Sequence, residues 1–177
     1  MAKRRSSLRL FIALDLPVGA RSEIAAWREP LIGGLRPVEE CALHVTLVFL
    51  GSRDEAEVPR LEALASDAVA GRQPVLLAPT RVQAVPPHSP RLLALDLEDR
   101  GGHCLDLQSA LAPAGGEERG FWPHVTFARA KRGHRAQPHE ASRLPAPFVA
   151  DRIVLYRSLP GPGGSRYEPL WAATLGP

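Results

Sequence analysis

Leu8, Leu10, Ile12, Leu14 and Leu16 alternate strictly with other residues, which predicts a β-strand over about 8–16 with one leucine-rich face. A helical pattern follows over about 18–32 and is closed by Gly33-Gly34. A second strand is expected over about 43–50. Asp54 then opens a helix through about 70, with Leu61, Leu64, Ala65, Ala68 and Val69 on one face and Gly71 at its end. Strands at about 74–84 and 91–97 flank the proline-rich turn PPHSP, and Gly101-Gly102 lead into a short helix to about 112. One more strand covers about 124–130. Residues 131–147 are basic and proline-rich and read as a surface loop. Strands at about 148–157 and 166–174 flank the turn LPGPGGS. Helices and strands are interleaved irregularly, so the expected class is α+β with antiparallel sheets.

Two of these strands carry the same signature. HVTLVFLG occupies 44–51 and HVTFARA occupies 124–130. With four Thr and six His in 177 residues, chance gives about 0.1 His-x-Thr pairs in the whole chain, so two with the same central Val form a specific signal. In a strand, residues i and i+2 share a face. His44 and Thr46 therefore project together, with Val45, Leu47 and Phe49 directed into packing. His124 and Thr126 repeat this, with Val125 and Phe127 behind them. The copies lie 80 residues apart, near half the chain length, which points to two related halves that each give one His to a shared site.

Bulk properties change the picture only slightly. A chain of 177 residues, 45% hydrophobic and 23% charged, is expected to form a single bilobal domain spanning 1–177. The net charge of +3 mildly favours an anionic ligand. Cys41 and Cys104 are too few for a disulfide framework and have no CxxC partner, so both are expected to be buried or half-buried and the compartment reducing. Lys3, Arg4 and Arg5 before LRLFIAL imitate a secretory leader. The apolar run is too short, however, and is broken by Arg9, Asp15 and Pro17. No stretch is long enough to span a membrane, and the expectation is a cytoplasmic protein.

Several chemistries lack their residues. GxxxxGK[ST], GxGxxG and GxSxG are all missing, so a nucleoside triphosphate, a dinucleotide cofactor and a serine nucleophile have no support. The motif histidines have no neighbouring ligands to complete a zinc or two-metal set, and neither metal nor cofactor is expected. His88, His103, His134 and His139 fall in loops or at a helix start and are expected to face solvent. Arg129 and Lys131, just past the second motif, could hold a phosphate.

Two His and two Thr suit the opening of a cyclic phosphate by water. The reaction needs a base on the water and an acid on the departing sugar oxygen, roughly in line across phosphorus. With an ordinary pKa near 6.5, one imidazole can be neutral and the other protonated near neutrality, so a bell-shaped rate profile centred there is expected. The Thr hydroxyls can donate to the non-bridging oxygens. Base preference would come from the cleft walls, where Phe49 or an Arg could stack on a base. By strand parity Phe49 lies opposite His44, so that role needs the strand to bend.

These motifs resemble those of the 2H phosphoesterases, and most closely the RNA 2′,3′-cyclic phosphodiesterase branch, also called 2′-5′ RNA ligase-like. HVTLVFLG fits the branch's HxTLxFLG at every specified position. HVTFARA fits HxTLAR except that Phe127 replaces Leu, and the opening RLFIALDLP resembles the first strand. The resemblance implies a bilobal pseudo-two-fold fold, two antiparallel sheets flanked by helices with a central cleft. It also implies metal-independent hydrolysis of RNA or nucleotide 2′,3′-cyclic phosphate to a 2′-phosphomonoester by a monomer. His44 would be the general acid on O3′, His124 the general base on water, and Thr46 and Thr126 the phosphate grip. Two alternatives are a non-catalytic nucleotide- or RNA-binding module on the same scaffold, and a phosphodiesterase or ligase acting on 2′-5′ linkages.

Overall fold

The structure is a computed structural model and describes residues 6–116, 120–131, 133–137, 141, 143–161 and 164–176. In chain order the elements are β1 (Ser7–Asp15), α1 (Val18–Ile32), β2 (Arg36–Pro37), β3 (His44–Asp54), α2 (Val58–Val69), β4 (Val75–Val85), β5 (Leu92–Arg100), α3 (His103–Leu111), β6 (His124–Arg129), β7 (Phe148–Ala150), β8 (Arg152–Leu159) and β9 (Arg166–Thr174). The fold is α+β. The strands run β7-β4-β5-β6-β3-β1-β8-β9, with β2 also on β6, and all the pairings are antiparallel. The two expected sheets are thus halves of one curled sheet. They meet where β3 and β6 pair through Val45 and Val125 alone.

Helix α1 covers the stretch that periodicity predicts, with Gly33 at φ 49 behind its last turn. Asp54 does cap a helical segment. Its carboxylate accepts the Ala56 N–H (3.1 Å) while Glu57 accepts the Asp54 N–H (3.3 Å), a reciprocal capping box. The turn it opens is 3-10, and α2 follows only from Val58. Leu61, Ala65, Ala68 and Val69 of α2 are buried.

The strand expected over 148–157 is two strands. Residues Phe148–Ala150 pair with β4 at one edge of the sheet, whereas Arg152–Leu159 pair with β1 in the other half. Asp151 and Arg152 are both exposed, which breaks the alternation by one residue and marks the crossing between halves. Among the described residues, 131–147 contain no helix or strand. Cys104 is buried as expected, but Cys41 is exposed, because the 3-10 turn Glu40–Ala42 holds no buried position. His88, His103 and His134 are exposed. His139 lies outside the described residues. Among those residues no helix is long and apolar enough to cross a membrane.

Strand β1 explains how the site is carried. Its Leu10, Ile12 and Leu14 are fully buried in the core, each worth about 1.5–3 kcal/mol as an upper figure. Phe11, Ala13 and Asp15 on the other face are buried as well, because that face is covered by aromatic side chains rather than by water. Strand β5 repeats the scheme, with Leu93, Leu95 and Leu97 in the core and Ala94 and Asp96 on the opposite face.

Candidate active site

Of the seven candidate residues, six line one open cleft of about 1340 Å³: His44, Thr46, Phe49, His124, Thr126 and Arg129. Parity alone would have sent Phe49 and Arg129 away from the histidines. In β1 the adjacent Ile12 and Ala13 oppose Val48 and Thr46, so Leu47 is an extra residue in β3. In β5 the adjacent Leu93 and Ala94 oppose Ala128 and Thr126, so Phe127 is the extra residue in β6. Each bulge lies three residues after the motif His and turns the strand so that the fifth residue after that His joins the cleft face. Phe49 and Arg129 are therefore equivalent positions of the two halves. The Phe127 carbonyl is itself pinned by the Val38 N–H (3.0 Å) and by buried Arg28 (3.3 Å). Lys131 is exposed and is not part of the cleft wall.

The imidazoles are held in the same way. His44 Nδ1 donates to the carbonyl of Ala42 (2.7 Å) and His124 Nδ1 to that of Trp122 (2.8 Å), in both cases two residues upstream. A carbonyl can only accept, so Nδ1 carries the proton and Nε2 is the basic, unprotonated nitrogen of the neutral ring. Nε2 of His44 lies 3.1 Å from Thr46 Oγ1. His124 is stacked face to face on Trp122, with centroids 3.8 Å apart at 16°. His44 packs against Phe11 at 5.0 Å and stands perpendicular to Tyr167, with centroids 5.2 Å apart at 89°.

Burial pushes His44 down to about 4; the Ala42 carbonyl and Asp15 oppose the shift, while His124 and Arg129 add to it. Burial lowers His124 too, opposed by the Trp122 carbonyl and Asp96 and reinforced by Arg129. The charge of Arg129 is thus felt by both imidazoles. Both shifts run against the expectation of one charged ring near neutrality, and a phosphate anion beside the imidazoles would oppose them. Among the described residues no group of three His, Cys, Asp or Glu side chains is placed to hold a metal ion.

Several site residues escaped the sequence reading. Asp15 is the Cα partner of His44 and Asp96 that of His124; Ala13 and Ala94 stand opposite Thr46 and Thr126. The signal was present as a second repeat, Ala-Leu-Asp-Leu at 13–16 and again at 94–97. Its register places a small residue beside each Thr and a carboxylate beside each His. Arg9, whose guanidinium lies 4.9 Å over the Phe49 ring, and Arg36 also line the cleft.

Residues 16–162 match the family model of the 2′-5′ RNA ligase superfamily. The RNA 2′,3′-cyclic phosphodiesterase of Escherichia coli K12 is 33% identical to this chain, over 94% of the chain and 97% of that protein. A crystal structure of TT0787 from Thermus thermophilus superposes with a TM-score of 0.80 at 27% identity, covering 95% of this chain and 98% of that one. E. coli LigT complexed with NADP+ gives 0.75 at 30% identity, with 96% and 99% covered; a further LigT structure holds 3′-AMP. With the paired His-x-Thr strands, these likenesses show that the chain belongs to the 2′-5′ RNA ligase superfamily, in its RNA 2′,3′-cyclic phosphodiesterase branch.

Proposed function

We propose that this protein hydrolyses 2′,3′-cyclic phosphates of RNA ends or nucleotides to 2′-phosphomonoesters without a metal ion. The observation that carries the reading is the matched presentation of two imidazoles, each with Nδ1 tied to a carbonyl and Nε2 left for chemistry, from equivalent strands of one cleft. Water adds to phosphorus as the P–O3′ bond breaks. His124 Nε2 takes the proton of the water, and His44, protonated at Nε2, gives its proton to the departing O3′. Thr46, Thr126 and Arg129 hold the non-bridging oxygens, where charge accumulates. Phe49, already faced by Arg9, offers a stacking surface for a base.

The cleft exceeds the roughly 300–1,000 Å³ usual for a small-molecule site, which favours an RNA end over a free mononucleotide. The halves work as one bilobal unit, as a monomer in the cytoplasm. A binding module would need no matched acid and base, and two repeat-related Nε2 atoms argue against it. The test is incubation with 2′,3′-cyclic AMP and with a 2′-5′-linked dinucleotide in EDTA, with the product isomer read by phosphorus NMR. Formation of the 2′-phosphate from the cyclic substrate supports the reading; tight binding without turnover supports the module.

A further inference from the structure

The mechanism leaves two buried carboxylates unused. Asp15 is 8% and Asp96 6% exposed, and an ionised carboxylate taken out of water is costly unless it is paired and hydrogen-bonded. Both are bonded, and in the same pattern. Oδ1 of Asp96 accepts from Trp122 Nε1 (2.9 Å), while its Oδ2 takes Arg81 Nε (2.7 Å) and Gln83 Nε2. Oδ1 of Asp15 accepts from the Tyr156 hydroxyl (2.5 Å), while its Oδ2 faces Arg21 (3.4 Å) and Arg152 (3.9 Å). In each half one oxygen holds an aromatic side chain and the other is neutralised by arginine.

Those aromatic groups are the walls behind the imidazoles. Trp122 lies flat on His124 and also supplies the carbonyl that fixes its tautomer. Tyr156 stacks on Phe11 (5.2 Å, 23°), and Phe11 packs on His44. A need to satisfy one indole N–H or one phenol hydroxyl would be met by any neutral acceptor, and would not place a carboxylate opposite the motif His twice.

We propose that Asp15 and Asp96 are a repeat-related pair of positioning residues, each anchoring the aromatic wall that sets one motif imidazole for proton transfer. Their negative charge also favours the imidazolium that each His must form at one stage of the cycle. The titratable or charged groups facing His44 are Asp15, Tyr156, Tyr167, His124 and Arg129; those facing His124 are Asp96 and Arg129. Of the ionised side chains only the carboxylates favour protonation, and the Ala42 and Trp122 carbonyls act in the same sense. The inference rests on the reading of His44 and His124 as acid and base.

The test uses Asp15→Asn, Asp96→Asn, Tyr156→Phe and Trp122→Phe, assayed on 2′,3′-cyclic AMP beside His44→Ala and His124→Ala. Each Asn and Phe variant is expected to fold and to lose kcat by roughly ten-fold, with a much smaller change in KM. In the Asn variants one limb of the kcat/KM profile moves to lower pH, because a negative neighbour of an imidazole is gone. The Phe variants keep the limbs of the parent. Parent-like kcat and limbs in the folded Asn variants overturn the proposal; if an Asn variant does not fold, parent-like kcat in the matching Phe variant does so. Active His→Ala variants would instead sink the two-histidine reading itself.

Discussion

Val45 and Val125, the central residues of the two His-Val-Thr motifs, are Cα partners of each other, and both are fully buried. In an antiparallel ladder a directly opposed pair sits on a local two-fold axis. The axis that relates the two halves therefore passes between the motifs, and whatever one half offers at a given distance along its strand the other offers in mirror order. His, Thr, bulge, cleft-facing fifth residue and opposing Ala and Asp all follow this relation. It breaks at Phe49 against Arg129, an aromatic surface on one side and a cation on the other, an asymmetry that would favour one orientation of a ligand with a base and a phosphate.

That asymmetry gives separable effects. Phe49→Ala should raise KM for a nucleoside 2′,3′-cyclic phosphate by roughly 5–100-fold, the worth of one base–aromatic stack, with little change in kcat. The same variant should behave like the parent on ribose 2,3-cyclic phosphate, which has no base. Arg129→Ala should weaken both substrates alike. Steady-state kinetics on the two compounds checks this.

Thr46→Val and Thr126→Val should reduce kcat/KM by about three- to ten-fold each, the value of one neutral hydrogen bond. Both should remain well above either His→Ala variant. A Thr change worse than both His changes would show that the roles have been misassigned.

The pH dependence follows from burial. Both imidazoles lie below their ordinary range in the free protein, and kcat/KM reports the free protein. Its bell should be centred on the acid side of neutrality. The bell for kcat should lie at higher pH, because a bound phosphate anion raises both groups; each limb belongs to the coupled pair. Stability shows the same sign. His44 falls from 6.5 to about 4 on folding, so the unfolded chain takes up the proton first. Its contribution is complete above about pH 6.5 and is lost as pH falls towards about 4. Thermal unfolding of the parent and of His44→Gln across that window checks it, and the variant should lose part of the slope.

Gly116 tests how tightly the cleft is closed behind Phe49. A Cβ there would meet Val48 Cγ1 and come within 3.1 Å of the Phe49 carbonyl oxygen. Gly116→Ala should cost about 1–3 kcal/mol by overpacking and should raise KM, whereas Gly19→Ala, where nothing lies within 4 Å, should do neither. Denaturant unfolding with steady-state kinetics separates the two.

Much of this arrangement was legible in the residues. The 3.6- and 2-residue periods located α1, β1, β3 and β6, and the repeated His-x-Thr located two His and two Thr that line one cleft. The bulges were not legible, since an extra residue leaves no mark in an apolar run such as Leu47-Val48 or Phe127-Ala128, and parity therefore misplaced Phe49. The split at Asp151 was hidden because Phe148, Ala150 and Ile153 keep nearly the alternation of one strand. The short β2 strand has too few residues to show a period. The paired Ala-Leu-Asp-Leu was readable and passed as ordinary strand; it gains meaning only when register sets each Asp against a motif His.

The central claim is that two imidazoles, and no metal ion, turn over a 2′,3′-cyclic phosphate. The most direct measurement is kcat on 2′,3′-cyclic AMP in EDTA for the parent, His44→Ala, His124→Ala and the double variant. The parent should turn over fully and each single variant should lose roughly 10²–10⁴-fold. The double variant should be far less impaired than the product of the single losses, because acid and base act in one step. Near-parent hydrolysis by either single variant, or loss of parent activity in EDTA restored by one divalent ion, would contradict the account.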